Sequence, residues 1–265
     1  MNPADRCRGL LLGLAAGDRN GGPLRMATRL ADSLLACRRF DPDDVLARYV
    51  DWWKLEGFDT GPVAAAVLAQ VASGRPVGDA ARAVHQARSG QTGGCNPAHR
   101  SSVLATSATL PDAEVARAAR AEAALTHLHP AAGGAAAFTA CLGRRLLGGL
   151  PWDDALCSAL ETADAESAQA VAAAATGPGG AGGYAPETLR AAVFFVATAD
   201  GFEAALARSL AFAGPANYSP VLVGALAGAR WGASTISRAA LEHPAARPLL
   251  ERTKALADAL ASAWR

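Results

Sequence analysis

The chain is predicted to fold entirely from α-helices. Alanine dominates the composition while valine and isoleucine are sparse, so residues that favour helices supply most of the sequence. The apolar runs are too long and unbroken for short strands with alternating polarity. A chain of 265 residues is also long enough to bury a substantial core. We therefore expect one all-α domain spanning residues 1–265.

Charge, cysteine and hydropathy patterns argue against several functional classes. The 25 Lys and Arg residues nearly balance the 24 Asp and Glu residues, and no basic cluster alternates with aromatics as in nucleic-acid binding. The N-terminal segment lacks a signal pattern, and Gly, Arg or Asp interrupts every long apolar stretch. The five cysteines show no Cys-x-x-Cys spacing, which argues against a disulfide framework or a zinc site. We expect a cytoplasmic protein that binds neither nucleic acid nor membrane.

The first two predicted helices are joined by a very short loop. Residues 10–16 read as a buried helix whose glycines, four residues apart, form a smooth stripe where another helix can approach closely. These glycines are Gly9, Gly13 and Gly17. Asp18 lies where the helix ends, and the turn-forming residues 18–23 follow. An amphipathic pattern then predicts a helix over residues 24–37.

Two acidic segments mark the next helix starts. Residues 41–44 place three aspartates and a proline before a helix over residues 45–53. A turn that contains Asp59 and Thr60 precedes an apolar helix over residues 63–71, and either side chain is expected to cap it.

The rest of the chain reads as further helices separated by two glycine-rich loops. The loops are residues 89–97 and 177–183. One helix starts near Pro111 and stops before Pro130, since proline cannot continue it. The later helices are expected over residues 131–147, 187–199, 202–212, 221–231 and 249–264.

In their order along the chain, these segments resemble the motifs of the ADP-ribosylglycohydrolase family, which includes the glycohydrolase that reactivates dinitrogenase reductase. Four segments carry the resemblance in the first half: residues 8–18, Gly57-Phe58-Asp59-Thr60-Gly61, Gly94-Cys95-Asn96-Pro97-Ala98-His99-Arg100 and Thr126-His127-Leu128-His129-Pro130. Residues 183–189, 199–203 and 224–232 carry it in the second half. The resemblance implies a single-domain orthogonal helical bundle.

The resemblance also implies a pair of magnesium or manganese ions, which family members hold with an early Thr-Asp-Asp-Thr and a late Asp-x-Asp-Thr. In this chain, Gly21-Gly22-Pro23-Leu24 falls on the first motif, and Pro215, Asn217 and Tyr218 replace the Asp, Asp and Thr of the second. Neither segment keeps a carboxylate, and magnesium needs several anionic oxygens. We therefore predict no bound metal here, and no other cofactor.

Two carboxylates remain as catalytic candidates by the resemblance, with Asp59 as the principal group and Asp18 in support. Cleavage of an N-glycosidic bond needs a carboxylate near the anomeric carbon and an activated water. The expected substrate-binding residues are Asn20, Arg25, Thr60, Asn96, His99, Arg100, His127, Asn217 and Tyr218. Ordinary structural roles compete with these: Asp18 and Asp59 as helix caps, His127 paired at a helix end, and Tyr218 as a space-filling side chain.

Three functions follow from this pattern. The favoured one is a metal-independent N-glycoside hydrolase acting on an ADP-ribosyl, ribosyl or nucleoside-like substrate, with a small specialised metabolite preferred over a modified protein. The second is an inactive pseudoenzyme that binds ADP-ribose or a related nucleotide. The third is a structural protein that reuses the scaffold, because a shared fold does not establish shared chemistry.

Overall fold

A computed structural model of the chain describes residues 2–264, and its regular secondary structure over that range is helical. The helices are α1 (Pro3–Gly17), α2 (Gly22–Cys37), α3 (Pro42–Leu55), α4 (Gly61–Ala72), α5 (Val77–Ala87), α6 (Asn96–Ser101), α7 (Asp112–Ala124), α8 (Pro130–Leu147), α9 (Trp152–Leu160), α10 (Ala165–Ala173), α11 (Ala185–Ala197), α12 (Phe202–Ala213), α13 (Ser219–Trp231), α14 (Arg238–Leu241) and α15 (Leu250–Ala261). Short 3₁₀ turns flank several of them. The all-α prediction is confirmed.

Every helix expected from the sequence is present, with boundaries that differ by a few residues except at the start of α1, which begins at Pro3 and not at Leu10. Five helices were not predicted from the sequence: the short α6 and α14, and the longer α5, α9 and α10. Each of the three longer ones carries an acidic residue in its first turn, which favours a helix start because it faces the positive end of the helix dipole. The side chain of Asp164 also caps α10 by accepting a hydrogen bond from the amide of Ser167 at 2.7 Å.

Helices α1 and α13 pack with their backbones in direct contact. A Cβ atom built on Gly13 would lie 2.0 Å from the carbonyl oxygen of Gly224, so no larger residue fits without moving a helix. The same holds at both ends of the contact, where Gly9 meets Gly228 and Gly17 meets Pro220. The predicted glycine stripe is therefore confirmed as a helix-packing surface.

The pairs along this contact run in opposite directions, so the two helices are antiparallel. The C-terminal end of α1, where Asp18 lies, consequently meets the N-terminal end of α13, which follows Tyr218. Two segments about 200 residues apart in sequence are thus brought together at one end of the helix pair.

The hydrophobic core extends from this helix pair into most of the other helices. Large side chains from distant parts of the chain are fully buried in it, including Leu10, Tyr49, Phe138 and Leu222. The single-domain organisation of residues 1–265 stays a prediction. Within residues 2–264, no helix combines the length and apolar character needed to cross a membrane.

Candidate active site

A small cleft opens where the ends of α1 and α13 meet the loops before α2, α4 and α6. Its volume is about 180 Å³. The lining residues are Asn20, Pro23, Asp59, Gly61, Asn96, His99, Pro215, Ala216, Asn217 and Tyr218. Six of the eleven predicted site residues therefore meet in one place: Asn20, Asp59, Asn96, His99, Asn217 and Tyr218.

Asp59 presents the carboxylate of this cleft. Its backbone lies in the left-handed region at φ 50°, which aspartate tolerates better than most residues. One carboxylate oxygen, Oδ2, accepts a hydrogen bond from the amide of Gly22 at 3.2 Å, and Oδ1 accepts one from Asn20 Nδ2 at 3.4 Å. Both contacts are long, so the carboxylate keeps acceptor capacity for a ligand or a water.

The expectation that Asp59 or Thr60 caps α4 is wrong. Thr60 occupies the cap position, but its side chain makes no capping hydrogen bond. The side chain of Asp59 instead lies at the start of α2, where Gly22 is the first helical residue. The positive end of the α2 dipole therefore stabilises the ionised carboxylate. Thr60 is buried, and its carbonyl oxygen accepts a hydrogen bond from the side-chain amide of Asn96.

The cleft raises the pKa of Asp59 above its ordinary value. Partial desolvation of the carboxyl by the cleft walls is the main cause, although the residue as a whole is exposed. The amide of Gly22 and the side chain of Asn20 act in the opposite direction, while the negative charge of Asp18 adds to the rise. A raised pKa is typical of carboxyl groups that exchange protons during catalysis.

Asp18 has a different environment, because its carboxylate is fully buried and fully hydrogen-bonded. Oδ1 accepts from the amides of Asn20 and Gly21 at 3.2 and 2.7 Å and from Asn217 Nδ2 at 2.7 Å. Oδ2 accepts from the amide of Leu24 at 2.7 Å. Burial raises the pKa of Asp18 from its ordinary value, and these hydrogen bonds oppose the shift. Asp18 does not line the cleft, and its geometry is that of a group that holds the loop before α2.

Asn217, in the loop before α13, is hydrogen-bonded to the loop after α1. Its amide nitrogen donates to Asp18, and its Oδ1 accepts from the backbone amide of Arg19 at 2.9 Å. Both the nitrogen and the oxygen of the Asn217 side-chain amide are therefore hydrogen-bonded to the loop after α1. Direct hydrogen bonds therefore connect the loop after α1 with the loop before α13.

The donor set around this junction does not fit a pair of divalent cations. Asp59 keeps acceptor capacity because it accepts only long hydrogen bonds, whereas the oxygens of Asp18 and Asn217 accept hydrogen bonds of 2.7 and 2.9 Å from the protein. Magnesium and manganese need several oxygen ligands, mostly anionic, to replace their hydration shells. Among residues 2–264, no group of three or more His, Cys, Asp or Glu side chains is arranged to hold a metal ion.

His99 fixes the start of α13 from the opposite side of the cleft. Its Nε2 lies 2.9 Å from the carbonyl oxygen of Tyr218, which can only accept, so this nitrogen carries the proton. Burial lowers the pKa of His99 to about 4, so the ring is neutral at physiological pH. Tyr218 itself is 40% exposed, which leaves its ring available to a ligand.

Besides the buried Thr60, three predicted substrate-binding residues lie outside the cleft. Arg25 pairs with Glu56 at 3.2 Å and stacks its guanidinium on the ring of Phe58 at 4.6 Å, so it supports the Asp59 turn from outside. Arg100 was also expected to contact substrate, but its side chain is fully buried and pairs with Glu122.

His127, the third of these, is also a buried side chain. Its Nδ1 lies 2.8 Å from Thr126 Oγ1. It lies behind Gly94 of the 89–97 loop, and a Cβ atom on Gly94 would be 3.4 Å from His127 Nε2.

A larger cavity of about 600 Å³, which was not predicted from the sequence, lies beside the cleft. Its lining comes from the end of α5, both predicted glycine-rich loops and the starts of α8 and α11: His85, Ser89, Gly90, Gln91, Gly93, Gly94, His129, Pro130, Gly183 and Tyr184. Gly183 separates the two spaces, since a Cβ atom there would lie 2.9 Å from the Tyr218 ring. The signal in the sequence was the pair of glycine-rich loops, whose mutual contact at Gly94 and Tyr184 depends on tertiary structure.

Fold and cleft together define an all-α protein with one available carboxylate at the junction of two antiparallel helices. The family model for ADP-ribosylglycohydrolase matches residues 23–265. A solved structure named ADP-ribosylglycohydrolase-related protein complex is 26% identical and covers 100% of this chain and 99% of its own, with a TM-score of 0.77. No curated protein sequence matches the chain significantly.

The chain belongs to the ADP-ribosylglycohydrolase family, since the family model matches nearly its full length. The predicted family and its helical-bundle fold are confirmed. At a coarse level the family and the fold indicate a glycohydrolase. The roles of individual site residues stay predictions.

Proposed function

We propose that the protein is a metal-independent N-glycoside hydrolase that acts on an ADP-ribosyl, ribosyl or nucleoside-like substrate, with a small specialised metabolite as the preferred class. The observation that carries this proposal is the available carboxylate of Asp59. It faces a cleft, lies at a helix start, and accepts hydrogen bonds from the protein only through long contacts.

In this reaction Asp59 stabilises the developing positive charge on the ribosyl ring or takes the proton of the attacking water. Both roles need the ionised carboxylate close to the anomeric carbon. The bond to the leaving nitrogen breaks while a bond to the water oxygen forms, and the proton of the water passes to Asp59. Asn20 orients the carboxylate through its side-chain amide.

The donor chemistry supports a reaction without divalent cations. The oxygens of Asp18 and Asn217 already accept hydrogen bonds within the protein, so we route no step through a metal. A substrate with a cationic leaving group, such as a pyridinium, needs less assistance to depart. Substrates of this type are therefore the best first candidates.

The dimensions of the two cavities support a ribosyl group in the cleft. A volume of about 180 Å³ is below the ~300–1,000 Å³ of sites that enclose drug-sized ligands. The exposed ring of Tyr218 lies at the boundary with the cavity of about 600 Å³. A larger substrate therefore places its ribosyl end near Asp59 and its remaining groups beyond Tyr218.

A second candidate function is a pseudoenzyme that binds a nucleotide without turnover. One observation favours it: both oxygens of Asp59 accept hydrogen bonds from the protein, as expected of a residue that only stabilises the start of α2. The two functions differ in turnover but not in binding.

The test is an aglycone-release assay with purified protein. The panel is NAD, nicotinamide riboside and inosine, with chromatographic detection, beside thermal-shift measurements with ADP-ribose. Release from at least one compound that disappears in Asp59→Asn supports the hydrolase. Stabilisation by ADP-ribose without any release supports the pseudoenzyme and overturns the hydrolase.

Metal dependence is tested in the same assay. We expect EDTA, magnesium and manganese to leave the rate within about two-fold, because the donor set does not fit these ions. A several-fold rise with either cation that EDTA reverses would contradict the proposed metal independence while leaving hydrolase activity intact.

A further inference from the structure

A buried polar network connects the core to the rim of the larger cavity. Arg100 Nε donates to Glu122 Oε1 at 2.5 Å, and the hydroxyl of Tyr49 donates to the same oxygen at 2.8 Å. The exposed fractions of the Arg100 and Glu122 side chains are 1% and 0%. Arg100 NH2 donates at 2.8 Å to Thr126 Oγ1, and Oγ1 in turn lies 2.8 Å from His127 Nδ1.

The direction of these hydrogen bonds follows from the chemistry of arginine. A guanidinium can only donate, so Thr126 Oγ1 accepts from Arg100. The hydroxyl proton of Thr126 then needs an acceptor, because Thr126 is buried and an unpaired polar hydrogen there is costly. Among the described residues, His127 Nδ1 is the partner within reach.

We infer that Arg100, acting through Thr126, holds His127 as a neutral imidazole with its proton on Nε2, so that His127 presents a fixed hydrogen-bond donor behind Gly94. Arg100 and Thr126 are thus positioning residues for His127. The ligand group that this donor takes is an acceptor oxygen, such as a phosphoryl or carbonyl oxygen.

The charges around His127 favour the neutral ring. Burial lowers the pKa of His127 well below its ordinary value, and the positive charges of Arg100 and Arg88 add to this effect. A neutral imidazole carries one proton, and the hydrogen bond from Thr126 assigns it to Nε2.

Gly94 leaves the donor uncovered. A methyl group on Gly94 would lie 3.4 Å from His127 Nε2, which is ordinary contact distance and would block a ligand from that nitrogen. Gly94 lines the larger cavity and is not in the left-handed region, so its lack of a side chain matters here for space. The contact between this donor and a substrate rests on the proposed function, whereas the position of the proton does not.

The proton position is tested by ¹⁵N NMR of the histidine rings near neutral pH. We expect a protonated, pyrrole-type Nε2 and a pyridine-type Nδ1 for His127 in the wild type and in Thr126→Ser, which keeps the hydroxyl. In Thr126→Val we expect a mixture of both tautomers. A wild-type proton on Nδ1, or an Nε2 proton that is unchanged in Thr126→Val, would overturn the inference.

Thr139→Val is the matched control, since Thr139 is equally buried but its hydroxyl has no hydrogen-bond partner among residues 2–264. It should leave the His127 signals unchanged. Thermal midpoints show whether each variant is folded, and Thr126→Ser keeps the test valid if Thr126→Val is not.

Calorimetric titration with ADP-ribose tests the ligand contact. Thr126→Val and Gly94→Ala should each weaken binding roughly ten-fold, the size expected for one lost hydrogen bond to a charged group, while Thr126→Ser and Thr139→Val bind normally. Normal binding in Thr126→Val would overturn the ligand contact. If the wild type binds no ADP-ribose, the contact fails together with the proposed function, and the NMR result still decides the proton position.

Discussion

Asp18 and Asp59 lie on two sides of the same junction, yet their carboxylates have opposite surroundings. Asp18 is fully buried and accepts four hydrogen bonds, three of them at 2.7 Å. Asp59 is exposed and accepts two, at 3.2 and 3.4 Å. In sequence both are acidic residues beside helix termini. The comparison shows that residue type and helix position do not separate a structural carboxylate from an available one, whereas the hydrogen bonds that each receives do.

The strongest test of this comparison is Asp59→Asn. We expect turnover to fall by about 10³-fold, within the range for loss of a general acid or base, because the amide cannot take a proton or stabilise positive charge. The thermal midpoint should change little, since both hydrogen bonds to Asp59 are long. Steady-state kinetics and a melting curve provide the two readouts. An active Asp59→Asn would remove the basis for assigning the chemistry to this residue.

Asp18→Ala should have the opposite profile, with a large loss of stability. The substitution leaves the amides of Gly21 and Leu24 and the side chain of Asn217 without their acceptor in a buried place. We expect the free energy of unfolding to fall by about 3 kcal/mol, measured by urea denaturation. A variant as stable as the wild type would show that the Asp18 carboxylate does not hold the loop.

Asn217→Ala should show a smaller effect of the same kind. It removes one donor to Asp18 and the acceptor for the amide of Arg19, and we expect a loss of about 1 kcal/mol. Asn217→Asp should lose more, because it places a second carboxylate next to Asp18. Urea denaturation of both variants, with and without magnesium, measures whether the cation changes the stability of either one. Magnesium that restores Asn217→Asp to wild-type stability would mean that a single added carboxylate is enough to bind a cation here.

The smallest expected effect is on pH dependence. The cleft raises the pKa of Asp59, and the reaction needs the ionised form, so kcat/KM should fall with decreasing pH at a higher pH than for an ordinary carboxyl. Asn20→Ala removes a hydrogen bond that lowers this pKa and should move the acidic limb to still higher pH. If the acidic limb of the pH profile lies at or below the ordinary pKa of a carboxyl group, another group controls the rate.

The helical class and the close helix contact could be predicted from the sequence because they depend on local patterns. Alanine-rich amphipathic segments predicted the long helices, and the four-residue spacing of Gly9, Gly13 and Gly17 predicted a close helix contact. The candidate residues Asp59 and Asn217 came from the family resemblance, and the structure brings both to the same cleft.

Other features depend on contacts between distant residues and left no local signal. Arg100 lies in a motif segment and was expected to contact substrate, but it forms a buried ion pair with Glu122 on α7. The larger cavity likewise requires Gly94 and Tyr184 to meet across two loops.

By itself, the sequence determined the helices, the glycine stripe and the absence of carboxylates from the two motif segments, because each is a property of neighbouring residues. The tertiary structure decided which glycines pair between α1 and α13, and thereby that Asn217 reaches Asp18. It also decided that Asp18 is buried and hydrogen-bonded while Asp59 remains open. The availability of a carboxylate depends on which donors surround it, and those donors come from parts of the chain that only folding brings together.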